Sequence, residues 1–296
     1  CRRVTPAGRT VPVSGFPMAG RLFAGGTRLV VTDGTDGDEY LRLFDASSGA
    51  ELSAIGPLRE PEGLFYGLAV TADGRRIYAS GGPSDIVHVI DRDPSTDALG
   101  VVGRIAVPNY VAGLALSPDE TTLFALRQVS GYVAVIDTAT QSLAGTVSPP
   151  GGGEPYDVVV SPDGAFAYLT QWAARGVVQI ALASRTVQAV AAVGKNPEGL
   201  VLSPDGARLY VACSDADTIA VIETASMTVV ANWSSRSDAA LPSGSCPSAV
   251  ALHPDGSRLY VTNACENALD VFDTATGARV GRLPTAWWPT DVEVGP

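Results

Sequence analysis

Apolar and polar residues alternate along this chain in short runs of period two, and no stretch sustains a helical period. In Arg208–Cys213, Leu209 and Val211 alternate with Tyr210 and Ala212; after a short polar link a second run covers Thr218–Glu223. Both are enriched in β-branched and aromatic residues, as half-buried strands require. Another apolar run, Gly199–Leu202, precedes this pair, and Val229–Trp233 follows it. The pattern predicts a unit of four antiparallel strands, A to D.

The unit recurs. Thr71-Ala72-Asp73-Gly74, Ser117-Pro118-Asp119-Glu120, Ser161-Pro162-Asp163-Gly164, Ser203-Pro204-Asp205-Gly206 and His253-Pro254-Asp255-Gly256 are copies of one phrase, and Phe23-Ala24-Gly25-Gly26 is a degenerate first copy. The anchors stand at 25, 73, 119, 163, 205 and 255. An acidic residue closes the next pair of runs at Asp45, Asp91, Asp137, Glu223 and Asp273, with Ala181 substituting once; it lies 20 residues past the first anchor and 18 past each of the others. The phrase predicts the A–B hairpin turn: Pro pre-sets φ, Asp fits the next position and Gly takes the left-handed conformation. Glu120 replaces that Gly once, which predicts a different turn or local strain there.

Four-stranded units of this length, repeated this often, define an all-β fold, a β-propeller of four-stranded antiparallel blades, read as one domain over residues 1–296. Six units are complete. Residues 291–296 match a seventh A strand, and Arg9–Val13 resembles a D strand ahead of the first A strand. The expectation is a seven-bladed ring with an incomplete closing blade, since pairing the two termini leaves no open sheet edge; a six-bladed ring with a redundant terminal strand is the alternative. The stretches from Ser203 to Trp233 and from His253 to Leu283 resemble the YVTN-type propeller repeats of bacterial and archaeal extracytoplasmic proteins, carried by Arg208-Leu209-Tyr210-Val211 and Arg258-Leu259-Tyr260-Val261-Thr262-Asn263. That family includes surface-layer proteins, binding scaffolds, and relatives of lactonases and amine-dehydrogenase heavy chains, so the resemblance speaks to fold more than to function.

Composition narrows the function. With 20 basic and 31 acidic side chains the net charge is −11, and Lys195 is the one lysine. Nucleic-acid backbones are disfavoured partners, because Lys and Arg drive binding there. No apolar run reaches the roughly 18–20 residues of a membrane helix. Only His88 and His253 are present, which excludes His-rich metal sites. His253 lies in a turn and His88 in a C strand, neither beside an evident Ser or Cys, so a nucleophilic triad is not supported.

The strand order puts the D–A and B–C connections at one end of the blades. Loops of variable length on a rigid scaffold are where function tends to sit, and the D–A segments vary most, with a long insertion at Ser234–Ser245. Aromatic residues and carboxylates concentrate there. The candidate ligand-binding residues are Glu62, Tyr66, Tyr110, Glu154, Tyr156, Trp172, Glu198, Trp287 and Trp288, with Trp233, Asp157 and Asp291 nearby. Aromatic walls with a few polar groups suit a small-molecule or peptide site; the plainer reading is that the rings cover blade junctions and the carboxylates are solvated. No cofactor is required. Asp33, Asp36, Asp38 and Glu39, or the channel-mouth carboxylates, offer oxygen ligands of the kind calcium takes, although the spacing is not that of an EF-hand.

Cys213, Cys246 and Cys265 all map to that same end, and Cys246–Cys265 is the first disulfide choice, Cys213–Cys246 the second, with unpaired buried thiols as the alternative. A bridge would fit an oxidising compartment. Cys1 fits the lipid-bearing residue of a processed lipoprotein and fits equally a truncated start. The leading expectation is therefore a non-catalytic propeller in the periplasm, at the cell surface or secreted, which binds a partner protein, peptide or small ligand. The alternatives are a lactonase-like hydrolase using channel carboxylates and a heavy-chain-like subunit of a quinoprotein amine dehydrogenase.

Overall fold

The computed structural model describes residues 8–13, 15–34, 38–59, 61–238 and 243–295. Its strands build six four-stranded antiparallel sheets, each in simple chain order, and among the described residues the only helical pieces are three single turns of 3-10 helix. This is the propeller class, in its six-bladed form. The seventh A strand is not formed: residues 286–295 contain no strand, and neither do Arg9–Val13. Residues 291–295 are half-buried outside the six sheets, and period-two alternation records burial of alternate faces rather than backbone pairing.

The chain divides into two compact units. The first, Val11–Val160 with Gly295, holds β1 (Phe16–Phe23) to β4 (Glu51–Leu58), β5 (Leu68–Val70), β6 (Arg76–Ser80), β7 (Ile86–Arg92) and β8 (Leu99–Ala106), then β9 (Val111–Leu116) to β12 (Ser142–Val147) and β13 (Pro155–Val160). Strands β1, β5, β9 and β13 are A strands, and each packs beside the next. The second unit, Ser161–Val294 with residues 8–10, holds β14 (Phe166–Gln171), β15 (Gly176–Ala181) and β16 (Thr186–Ala192), then β17 (Pro197–Leu202), β18 (Arg208–Cys213), β19 (Thr218–Glu223), β20 (Thr228–Ser234), β21 (Pro247–Leu252), β22 (Arg258–Asn263), β23 (Ala268–Asp273) and β24 (Arg279–Pro284).

Blade stacking explains the alternating pattern. The B and C strands bury nearly every side chain, because a neighbouring sheet covers each face. In the first unit one apolar cluster joins Val30, Leu41 and Leu43 of the first blade to Ile77 and Ile90 of the second. In the second unit Tyr210, Val221, Phe272 and Leu259 form the equivalent contact, closed by Trp233, whose ring stacks on Phe272 at 5.8 Å. Each such aliphatic or aromatic side chain contributes roughly 1.5–3 kcal/mol. The outer D strands alternate exposed and half-buried residues, as one-sided strands do.

Two devices recur among the blades. Every C–D pair has a register break at the same place, from Leu43/Phe44 to Val271/Phe272, which twists the outer strand away. Where the A–B ladder breaks, a B-strand hydroxyl takes over: Thr32, Ser80 and Thr262 accept the backbone N–H of Ala19, Gly67 and Ala249 at 3.1, 2.9 and 2.8 Å. These amides would otherwise be buried donors without partners.

The A–B turns follow the expected mechanism. Ser161 and Ser203 donate their hydroxyls to Asp163 and Asp205 at 2.6 Å, and Gly164, Gly206 and Gly256 sit at φ of 70, 70 and 74°. Glu120 adopts φ 58° in the same turn rather than a different one, so its substitution brings left-handed strain, and its carboxylate accepts the N–H of Ala72.

Candidate functional site

In each unit the B–C turns reach across to hold the D–A connections at one end of the blades. Asp85 and Asp217 take left-handed φ values, and their carbonyls accept the N–H of Val107 at 2.8 Å and Ser235 at 2.9 Å. Their carboxylates then clamp the following connection: Asp85 accepts from Tyr110 at 2.8 Å, and Asp217 from Gly244, Ser245 and Cys246 at 2.8, 2.8 and 3.2 Å. Asn267 does the same for the N–H of Trp288 at 2.8 Å. The connections are thereby ordered by short polar side chains on rigid hairpins, which is what a preorganised site needs.

In the second unit this end presents Glu198. Pro197 starts β17, and Glu198 follows it. Asn196 stands before them in the left-handed region; its side chain donates to Asp215 at 2.9 Å and its carbonyl accepts the N–H of Ser214 at 2.9 Å. Thr170, near the end of β14, donates to the Glu198 carbonyl at 2.8 Å. Burial pushes the Glu198 carboxyl up to about 7, against hydrogen bonds donated by Ser214 and Trp172 that favour the charged form, and Asp215 adds to the rise. A carboxyl that exchanges its proton near neutral pH beside an indole and a hydroxyl can both accept and donate to a ligand. The backbone beneath is tightly packed: a side chain at Gly199 would place its Cβ 2.7 Å from the Ser248 carbonyl oxygen.

In the first unit the same end carries an aromatic cluster. Tyr66 stacks on Tyr156 at 4.6 Å and donates its hydroxyl to the Tyr156 carbonyl, while Phe65 meets Tyr66 at 4.7 Å and Tyr110 edge-on at 5.1 Å. Asn109 and Tyr110 are consecutive residues at positive φ, 79 and 63°, a strained connection held by the Asp85 clamp. Burial, with Glu39 nearby, raises the Tyr110 phenol. Glu62 pairs with Arg104 at 2.8 Å, and Glu154 is exposed, so neither sits in the desolvated setting of Glu198.

The remaining candidates fall elsewhere. Trp287 and Trp288 are exposed, 82% and 44%, on the last connection of the second unit, and Trp233 is part of the blade packing. Asp33 pairs with Arg42 at 2.7 Å and Asp38 with Arg59 at 2.5 Å, while Glu39 accepts the N–H of Leu64; Asp36 lies outside the described residues. Arginines and a backbone amide thus engage these carboxylates individually, and no group of three or more His, Cys, Asp and Glu that could hold a metal ion occurs among the described residues. His88 is buried in β7 with Nε2 2.9 Å from the Gly63 carbonyl, and burial lowers its pKa. Cys246 and Cys265 form a disulfide, Cα–Cα 5.4 Å, and Cys213 is a buried free thiol pushed up to about 11. Cys1 lies outside the described residues. No helix among the described residues is long and apolar enough to cross a membrane.

Comparison with known proteins agrees with this architecture. A family model described as Lactonase, 7-bladed beta-propeller matches residues 114–230, a span containing Trp172, Glu198 and Ser214. No curated protein matches the sequence. Among solved structures, hydrazine synthase of Kuenenia stuttgartiensis superposes with a TM-score of 0.79 at 20% identity, covering 96% of this chain and 91% of that one. A putative 6-phosphogluconolactonase of Bacteroides fragilis NCTC 9343 superposes at 0.75 and 18% identity, covering 93% and 86%. At these identities the structures establish the fold alone. The chain is a β-propeller that is similar to this family over residues 114–230, and the six four-stranded blades among its described residues differ in number from the seven in that family's description.

Proposed function

We propose that the chain is an extracytoplasmic binding propeller whose site lies at the end bearing the B–C and D–A connections and is centred on Glu198 and Trp172. The observation that carries this reading is the placement of Glu198 at the start of β17, its backbone fixed by Thr170 and the preceding Asn196 tied to Asp215 and Ser214, with Trp172 and Ser214 donating to its carboxyl; burial there raises that carboxyl toward neutrality. Such a group suits a small polar ligand, with the indole as its apolar wall. The disulfide fits an oxidising compartment.

A second reading is lactone hydrolysis with Glu198 as general base. It is favoured by the family match over residues 114–230 and by a pKa near the operating pH. One experiment separates the two: a panel of sugar lactones is offered to the native chain and to Glu198→Gln, with turnover and tryptophan fluorescence followed together. Saturable quenching without turnover, lost in Trp172→Phe, supports binding. Turnover abolished by Glu198→Gln establishes hydrolysis. Turnover unaffected by that change, or silence in both channels, refutes a Glu198-centred site for this ligand class.

A further inference from the structure

At the opposite end of the blades, grooves open between consecutive sheets beside the A–B turns. One in the first unit, about 480 Å³, is lined by Asp73, Arg75, Arg76, Asp91, Arg92 and Glu120, among others. Its arginines are neutralised within the protein: Arg76 pairs with Asp91 at 2.8 Å, Arg92 with Asp97 at 2.5 Å, and Arg75 lies 3.7 Å from Asp73. The equivalent groove in the second unit is about 750 Å³.

Repeat arithmetic explains the extra space. Counting from the anchors, Ala207 stands where Arg75 stands, Thr224 where Arg92 stands, and Gly256 where Glu120 stands. Three long charged side chains have become small ones. Arg208 is the counterpart of Arg76, and the pairing register sets it opposite Glu223 as Arg76 is set opposite Asp91. Arg28, Arg76 and Arg258 all pair with the acid they face, at 3.2, 2.8 and 2.5 Å. Glu223 instead accepts the Ser226 hydroxyl at 2.7 Å, and among the described residues the Arg208 guanidinium makes no ion pair.

We propose that this second-unit groove binds a zwitterionic ligand of the amino-acid or short-peptide class. The Arg208 guanidinium presents a planar fork that suits a carboxylate. Around it stand Asp205, Glu223 and Asp255, so the lining carries more negative than positive charge and repels a simple anion. A ligand that adds an ammonium group resolves this: a carboxylate offers about four lone-pair sites, and the present partners are Ser203 and the Ala207 N–H on Asp205, Ser226 on Glu223, and the Ser257 N–H and His253 Nδ1 on Asp255. Pro204, Ala225 and the half-exposed Val230 supply apolar surface for its side chains, over the buried Tyr210, and the volume lies within the range of small-molecule sites.

The test is calorimetric titration of the whole chain with leucyl-leucine, its N-acetyl derivative and its C-terminal amide. The expected result is saturable binding of the free dipeptide, with each blocked form about tenfold or more weaker, and a similar loss in Arg208→Gln. Arg76→Gln, in the filled groove, leaves binding unchanged. Absence of saturable binding, equal binding of the amide (a simple cation site), or equal loss in Arg76→Gln overturns the proposal. Arg208 is exposed, so its replacement leaves the fold intact, which circular dichroism checks.

Discussion

Replacing Glu198 with Gln should remove a pH dependence of stability that the native chain carries. Burial favours the neutral acid and raises its pKa from 4.5 to about 7. The folded chain therefore holds this proton over a range in which the unfolded chain has released it. Stability from this group is fully present below about pH 4.5, falls as pH rises, and is lost above about 7. A rise of that size corresponds to about 3 kcal/mol. Gln keeps an acceptor for Trp172 and Ser214 but cannot ionise. The stability difference between Glu198→Gln and the native chain should thus move in favour of the variant by about 3 kcal/mol between pH 4.5 and pH 8. Other titrating groups cancel in the comparison. Urea unfolding of both proteins across that range measures it. A difference independent of pH, or one that moves against the variant at high pH, refutes the reasoning.

Three further outcomes follow from the packing. Replacing Cys246 and Cys265 by Ser opens a loop with a sequence separation of 19, and should cost about 3 kcal/mol in denaturant unfolding; no change would mean that the closed loop constrains nothing in the unfolded chain. Gly199→Val drives a side chain against the Ser248 carbonyl and should destabilise by about 1–3 kcal/mol, seen as a lower unfolding midpoint, whereas an unchanged midpoint would show that β17 and β21 are free to separate. Thr262→Val removes the acceptor of the Ala249 N–H and should cost about 1–3 kcal/mol, with faster hydrogen exchange at that amide as the diagnostic.

The blades were legible because their determinants are local. Turn chemistry at Asp163 and Asp205, alternation in the B and C strands, and a constant spacing to the closing acid each act within one hairpin. The Cys246–Cys265 bridge was legible because the start of A and the end of B adjoin within a blade. The terminal runs were not legible: residues 291–295 carry the alternation of an A strand, yet no strand forms there, because alternation reports burial of faces and not backbone pairing. At the site, Tyr66, Tyr110 and Tyr156 do come together in the first unit, and Trp172 meets Glu198 in the second. The desolvation that distinguishes Glu198 from Glu62 and Glu154 was invisible, because it depends on surrounding side chains from other strands rather than on spacing. The groove at Arg208 was missed for a different reason. Its signal, three small residues where two earlier copies have Arg75 and Arg92, and Glu120, appears only when the copies are aligned on their anchors and read across blades.

The most direct test of the account is a carbon-13 NMR titration of the glutamate side-chain carboxyls, with the Glu198 resonance assigned by its loss in Glu198→Gln. The expected midpoint is about 7 for that resonance, and higher in Trp172→Phe, where a donor to the charged form is gone. A midpoint at the ordinary 4.5, unmoved by the loss of Trp172, would show that Glu198 is a solvated surface acid and would contradict the proposed site.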